Sequence, residues 1–217
     1  MKSNQEFSCH NFLAKAFSAT NFTLYIFLIF SFLIPLTSSC QSKKSDKKIL
    51  IVYLSRTKNT KVLAEIIHDK VGGKLVELEL QNPYPENYKA TVKQVSEELE
   101  KGFLPPLKTK IEEIEQYDVI FLGFPTWAMQ LPPPVQSFLH QNNFKGKTIM
   151  PFNTNAGYGL GSTIETIKKL CPIAQIREPF SMIGGKETDG IFLTIKGEKE
   201  KETEKKVSVW LKEQKLQ

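Results

Sequence analysis

The stretch 48–70, KILIVYLSRTKNTKVLAEIIHDK, decides the fold. Its first part, 48–54, is an unbroken β-branched and apolar run, the mark of a parallel strand buried on both faces. Val62, Leu63, Ile66 and Ile67 then recur at helical spacing through about Lys70. Between strand and helix lies the polar turn Ser55-Arg56-Thr57-Lys58-Asn59-Thr60. A strand that turns directly into a helix is the opening unit of an alternating α/β chain.

The alternation continues down the sequence. Residues 74–80 (KLVELEL) alternate as a less buried second strand, and 117–124 form a third strand that is apolar after its opening polar pair. Residues 133–142 are a short helix whose prolines suit a first turn. Residues 147–152 (KTIMPF) are a fourth strand, and 162–170 a helix opened by the capping-box pattern Ser162-Thr-Ile-Glu165. A fifth strand lies within 176–183, although 191–195 has the same character and the choice stays open. Residues 198–214 form an amphipathic terminal helix with Val207, Val209, Trp210 and Leu211 among charges. One doubly wound parallel α/β domain follows, with ligands expected beyond the carboxyl ends of its strands.

Composition is consistent with this reading and excludes several classes. The chain has 217 residues, 41% hydrophobic and 24% charged, ordinary for a globular domain. A formal charge of +6 falls short of the basic stripe of a nucleic-acid binder, so no nucleic-acid partner is expected. Cys9, Cys40 and Cys171 lie far apart without zinc spacing, so no metal ligand set is visible.

The N-terminus reads as separate from the domain. The apolar run 24–36 is too short for the roughly 18–20 residues of a spanning helix and suits a signal-peptide core. It is followed by Thr37-Ser38-Ser39-Cys40, which resembles a bacterial lipobox with Cys40 as the acylated residue. The competing readings are an uncleaved membrane anchor, which Lys43, Lys44, Lys47 and Lys48 would orient with the domain in the cytoplasm, and a start site placed too far upstream. Expected boundaries are 1–40 for signal or anchor, 41–47 for a polar tether and 48–217 for the domain. The expected location is membrane-anchored and extracytoplasmic.

Three loops carry the candidate chemistry. Ser55, Arg56, Thr57, Lys58, Asn59 and Thr60 place hydroxyls and backbone N–H groups at a helix N-terminus, a cradle for a phosphate monoester. A plain helix cap by Thr57 or Asn59 is the alternative. The third strand leads into Pro125, Thr126, Trp127 and Ala128, where a planar ligand would stack on Trp127 shielded by Met129 and Leu131. The fourth leads into Thr154, Asn155, Ala156 and Gly157, small residues that allow close backbone approach to a flat ring.

Together these loops resemble those of the flavodoxin family, and the match extends to Pro83-Tyr84-Pro85-Glu86-Asn87-Tyr88, the helix after it and Pro105-Pro106-Leu107. The resemblance implies FMN as cofactor, with its phosphate at Ser55, Arg56, Thr57, Lys58, Asn59 and Thr60. The ring then lies at Pro125, Thr126, Trp127 and Ala128 and at Thr154, Asn155, Ala156 and Gly157, with Tyr158 a lesser candidate. Lys58 stands where such proteins usually have Gly, and Ala128 where many have an aromatic. The implied role is electron transfer with a redox partner protein or a quinone, oligomeric state unspecified. The alternative is an FMN-dependent NAD(P)H:quinone or flavin reductase, with 183–195 as a substrate shelf. A receiver-like signalling domain would need acidic residues where Ser55 and Phe124-Pro125 stand. Arg56 and Lys58, with no Asp or Glu in 153–163, lead to the further expectation of a flavin less reducing than in acidic members of the family.

Overall fold

The computed structural model describes residues 47–216. Ile49–Tyr53 (β1), Lys74–Glu77 (β2), Val119–Pro125 (β3) and Thr148–Asn155 (β4) are parallel strands of one sheet. Helices Asn59–Val71 (α1), Tyr88–Lys101 (α2) and Pro133–Gln141 (α3) connect them. After β4 come helix Thr163–Leu170 (α4), the short strands Gln175–Ile176 (β5) and Phe180–Ile183 (β6), and the terminal helix Glu198–Glu213 (α5).

The strand order is β2-β1-β3-β4-β5, with β6 also on β4. This is the expected five-position, doubly wound parallel sheet, its last position shared by two pieces. Thr148 and Ile149 pair with β5, and Phe152, Asn153, Thr154 and Asn155 pair with β6. Pro179, which has no N–H to give a ladder, lies in the break between them. Residues 191–195 do not complete the sheet; Ile191 makes only an isolated antiparallel bridge to Lys186.

Period-two alternation splits each apolar run between two cores. Leu50, Val52, Ile120, Leu122 and Phe124 pack on one face against Val135 and Phe138 of α3 and Ile167 of α4. Ile51, Val119, Phe121, Met150 and Phe152 pack on the other against Leu63 and Ile67 of α1 and Val207, Trp210 and Leu211 of α5. Gly123 is required by this packing, because a Cβ there would overlap the Phe152 ring.

Three local expectations are corrected. β2 stops at Glu77, and Leu80 instead bridges antiparallel to Leu107. β4 runs on to Asn155, so the start of the third loop is strand rather than connector. The capping box does not form: Ser162 turns away from its helix, its N–H and Oγ both donating to the Met129 carbonyl at 2.9 and 3.3 Å.

The expected signal, Cys9, Cys40 and the tether up to residue 46 lie outside the described residues. No helix among those described is long and apolar enough to cross a membrane. Cys171 is buried under α4, and burial pushes its thiol up to about 11. Its contribution to stability is therefore whole below the ordinary value of 9.0 and is lost as pH rises toward 11. Alkylation at pH 8, followed by peptide mass spectrometry, should leave Cys171 unmodified until denaturant is added.

Candidate functional site

β1, β3 and β4 end at the same sheet edge, which brings the three expected loops together. An open cleft of about 110 Å³ lies there. Arg56, Thr57, Thr60, Pro125, Thr126, Trp127, Thr154, Asn155 and Ala156 line it, together with Tyr88, Gly185 and Glu187.

The first loop leaves a run of backbone donors unused. Among the described residues, the backbone N–H groups of Arg56, Thr57, Lys58, Asn59 and Thr60 donate to no backbone acceptor. α1 begins here with no side-chain cap on its N-cap residue Lys58 and no acidic residue in its first turn. A run of unused donors at a helix N-terminus attracts negative charge. Ser55 Oγ accepts the Lys61 N–H at 3.2 Å and keeps its own proton free to donate. The Thr60 and Thr154 hydroxyls bond each other at 2.8 Å, which leaves one of their protons for a ligand.

Lys58 stands in the left-handed region, φ 65°, with its side chain exposed. The loop thus keeps the backbone that a glycine would adopt, at the steric cost of a Cβ. Lys58→Gly should stabilise the domain by about 1 kcal/mol without loss of ligand binding, as measured by urea unfolding and ligand titration.

Two residues of this loop have other roles. Asn59 is 1% exposed and belongs to the scaffold. Its amide donates to the Phe192 carbonyl at 2.7 Å, and its Oδ1 accepts the N–H groups of Thr194 and Ile195 at 2.9 and 3.2 Å. Arg56 does not project into the phosphate cradle as a free charge. Its Nε donates to Glu187 Oε2 at 2.8 Å and its Nη2 to Oε1 at 2.9 Å, with side-chain exposures of 20% and 13%. Its Nη1 donates to the Pro85 carbonyl at 3.2 Å and its Nη2 also to the Glu86 carbonyl at 2.9 Å. The expected excess positive charge at the cleft is therefore corrected: Glu187 matches Arg56, and only exposed Lys58 remains. Segment 183–195, the substrate shelf of the alternative reductase reading, is a strap tied to the first loop through Arg56 and Asn59.

The second and third loops lock together. Thr126 N–H donates to the Thr154 carbonyl at 3.1 Å and its hydroxyl to Gly159 at 2.9 Å. Trp127 and Gln130 close a tight turn by exchanging backbone bonds, with Ala128 and Met129 both at positive φ. Gly161 lies against this turn, where a Cβ would overlap the Met129 carbonyl. Asn155 Oδ1 accepts the N–H groups of Gly157 and Gly159, so that Gly157 shapes the loop rather than lining the cleft. Trp127 is half-buried and forms a wall. Ala128 and Trp127 also line an adjoining cleft of about 130 Å³ against α2. Leu131 is fully buried in the core and shields nothing, while Tyr158 stands 67% exposed.

Sequence reasoning missed Tyr88, Gly185 and Glu187. Tyr88 lies in the quoted 83–88 motif, which marks its neighbourhood, whereas Glu187 carries no local signal beyond the preceding Gly184-Gly185 turn.

Unused backbone amides after β1, an aromatic wall after β3 and a loop of small residues after β4 thus meet at the carboxyl edge of a doubly wound sheet. A family model described as flavodoxin matches residues 48–192, and the chain belongs to the flavodoxin family. No curated protein sequence matches it. Similar solved structures include one from Bacteroides eggerthii described as a flavoprotein, 28% identical with TM-score 0.63, covering 77% of this chain and 97% of that one. Another, from Bacteroides uniformis, is 23% identical with TM-score 0.59, covering 66% and 94%. A flavoprotein from Lactobacillus acidophilus in complex with FMN is 21% identical with TM-score 0.56, covering 62% and 93%.

Proposed function

We propose that this flavodoxin-family protein binds FMN in the cleft and works as an electron carrier attached to a membrane through its N-terminal segment. The observation that carries the reading is the run of unused backbone N–H groups from Arg56 to Thr60 at the start of α1. These amides, with the hydroxyls of Ser55, Thr57 and Thr60, would hold the phosphate. Trp127, Thr126, Thr154 and Ala156 would hold the ring. When bound, the flavin takes up and releases one or two electrons.

The chain's own contribution is to orient the ring between two interlocked loops and to limit water at one face through Trp127. Arg56 and Glu187 cancel, which leaves exposed Lys58 as the loop's unmatched charge. The partner is a redox protein or a quinone. β1 begins at Ile49, at the end of the sheet opposite the cleft.

The absorption spectrum of the purified full chain tests the cofactor. A yellow protein that releases FMN on denaturation and is reversibly reduced supports the reading, whereas a colourless protein that takes up no added FMN overturns it. For the attachment, Cys40→Ala should abolish lipid labelling and retain the unprocessed size. Processing to wild-type size would assign the membrane role elsewhere.

A further inference from the structure

Trp127 borders the cofactor cleft, the adjoining cleft against α2 and a third depression lined by Pro83 and Tyr84. It is a partition with open space around it, so something must fix its plane. The Tyr84 ring meets it edge-on, centroids 5.5 Å apart and planes at 76°. Tyr84 is itself held from below: its hydroxyl donates to Glu98 Oε2 at 2.5 Å, and Gln94 donates to the other carboxylate oxygen at 2.9 Å.

Glu98 is an unusual residue to find here. It is 6% exposed on the inward face of α2, and among the described residues no Lys, Arg or His pairs with it within 4.0 Å. A buried carboxylate without a cation is costly unless its hydrogen bonds are strong. The phenol bond is of that charge-assisted kind. Burial first, and then the bond to Glu98, raise the Tyr84 pKa far above the ordinary range, so the phenol keeps its proton and remains a donor at all physiological pH.

We propose that Glu98 is a positioning residue for the cofactor wall, acting through Tyr84 to fix the plane of Trp127 and so set how tightly the cleft grips a planar ring. The inference rests on the FMN reading for its ligand but not for its geometry. Loss of the Tyr84 hydroxyl frees the ring to tilt, and Trp127 loses its edge contact.

The test uses the full chain with 5-fluorotryptophan incorporated. Its two tryptophans, Trp127 and Trp210, give separate ¹⁹F resonances that are assigned with Trp127→Phe. Trp210 sits in the other core beside Phe121 and Phe180 and serves as internal control. Tyr84→Phe and Glu98→Ala should each move or broaden the Trp127 resonance, leave Trp210 in place and weaken FMN about tenfold. Glu98→Gln, whose amide oxygen still accepts from Tyr84, should restore both readouts close to wild type. An unmoved Trp127 resonance, an equal disturbance of both tryptophans, or FMN affinity unchanged in a protein that binds FMN would overturn the proposal. If the wild type binds no FMN, the functional reading fails, and the Trp127 resonance in the apo-protein alone decides the positioning chain.

Discussion

Riboflavin should bind the apo-protein about a hundredfold more weakly than FMN. The two ligands share the ring and differ in the phosphate, so their affinity ratio isolates the loop after β1. There, the N–H groups of Arg56 to Thr60 have no backbone acceptor in the described residues. A hydrogen bond to a charged group contributes roughly 1.5–3 kcal/mol. Two at the lower end give about 3 kcal/mol, slightly over two decades in Kd. Since Arg56 is occupied by Glu187, most of this discrimination comes from backbone dipoles, and Arg56→Gln should alter it less than tenfold. Titration of the apo-protein with each flavin, followed by flavin fluorescence, gives the ratio. Equal affinities would reduce the loop to a turn between strand and helix.

Asn59→Ala should destabilise the domain by about 3–4 kcal/mol and lower its unfolding midpoint accordingly. The side chain is 1% exposed, and its removal leaves the Phe192 carbonyl and the N–H groups of Thr194 and Ile195 without their acceptor or donor. Each buried polar group left unpaired costs about 1–3 kcal/mol, partly relieved here because the 192–194 strap is accessible to water. Urea unfolding of the variant with and without FMN separates scaffold from ligand contact. A variant as stable as the parent but selectively weak for FMN would return Asn59 to the role its sequence position suggests.

The two cases illustrate different kinds of legibility. The 48–54 run and the 117–124 run could hardly be anything but central parallel strands, and both are: β1 and β3 are neighbours at the middle of the sheet. The polar turn after β1 could be read either as an anion cradle or as a plain helix cap, and the structure shows no side-chain cap on the helix start. Trp127 was readable as a wall because a large aromatic bounded by prolines at a strand end has few other places to go. The 176–183 region was harder, since Pro179 breaks the ladder and 191–195 has the same composition as a strand.

The sequence by itself determined the alternation of strands and helices as far as α4, the two-sided burial of the sheet and the three loops at its carboxyl edge. These depend on relations within about ten residues, where side-chain period and backbone propensity act directly. Only the tertiary structure decided what Arg56 and Asn59 do. Both find their partners more than 130 positions along the chain, at Glu187 and at Phe192 to Ile195. Such pairings arise because β6 ends beside β4 and turns its strap back across the start of α1. No local pattern encodes that encounter, since charge and amide groups carry no periodicity that names a distant partner. Once the sheet has fixed the strap beside the loop, a bidentate ion pair and a buried amide follow from ordinary donor and acceptor chemistry.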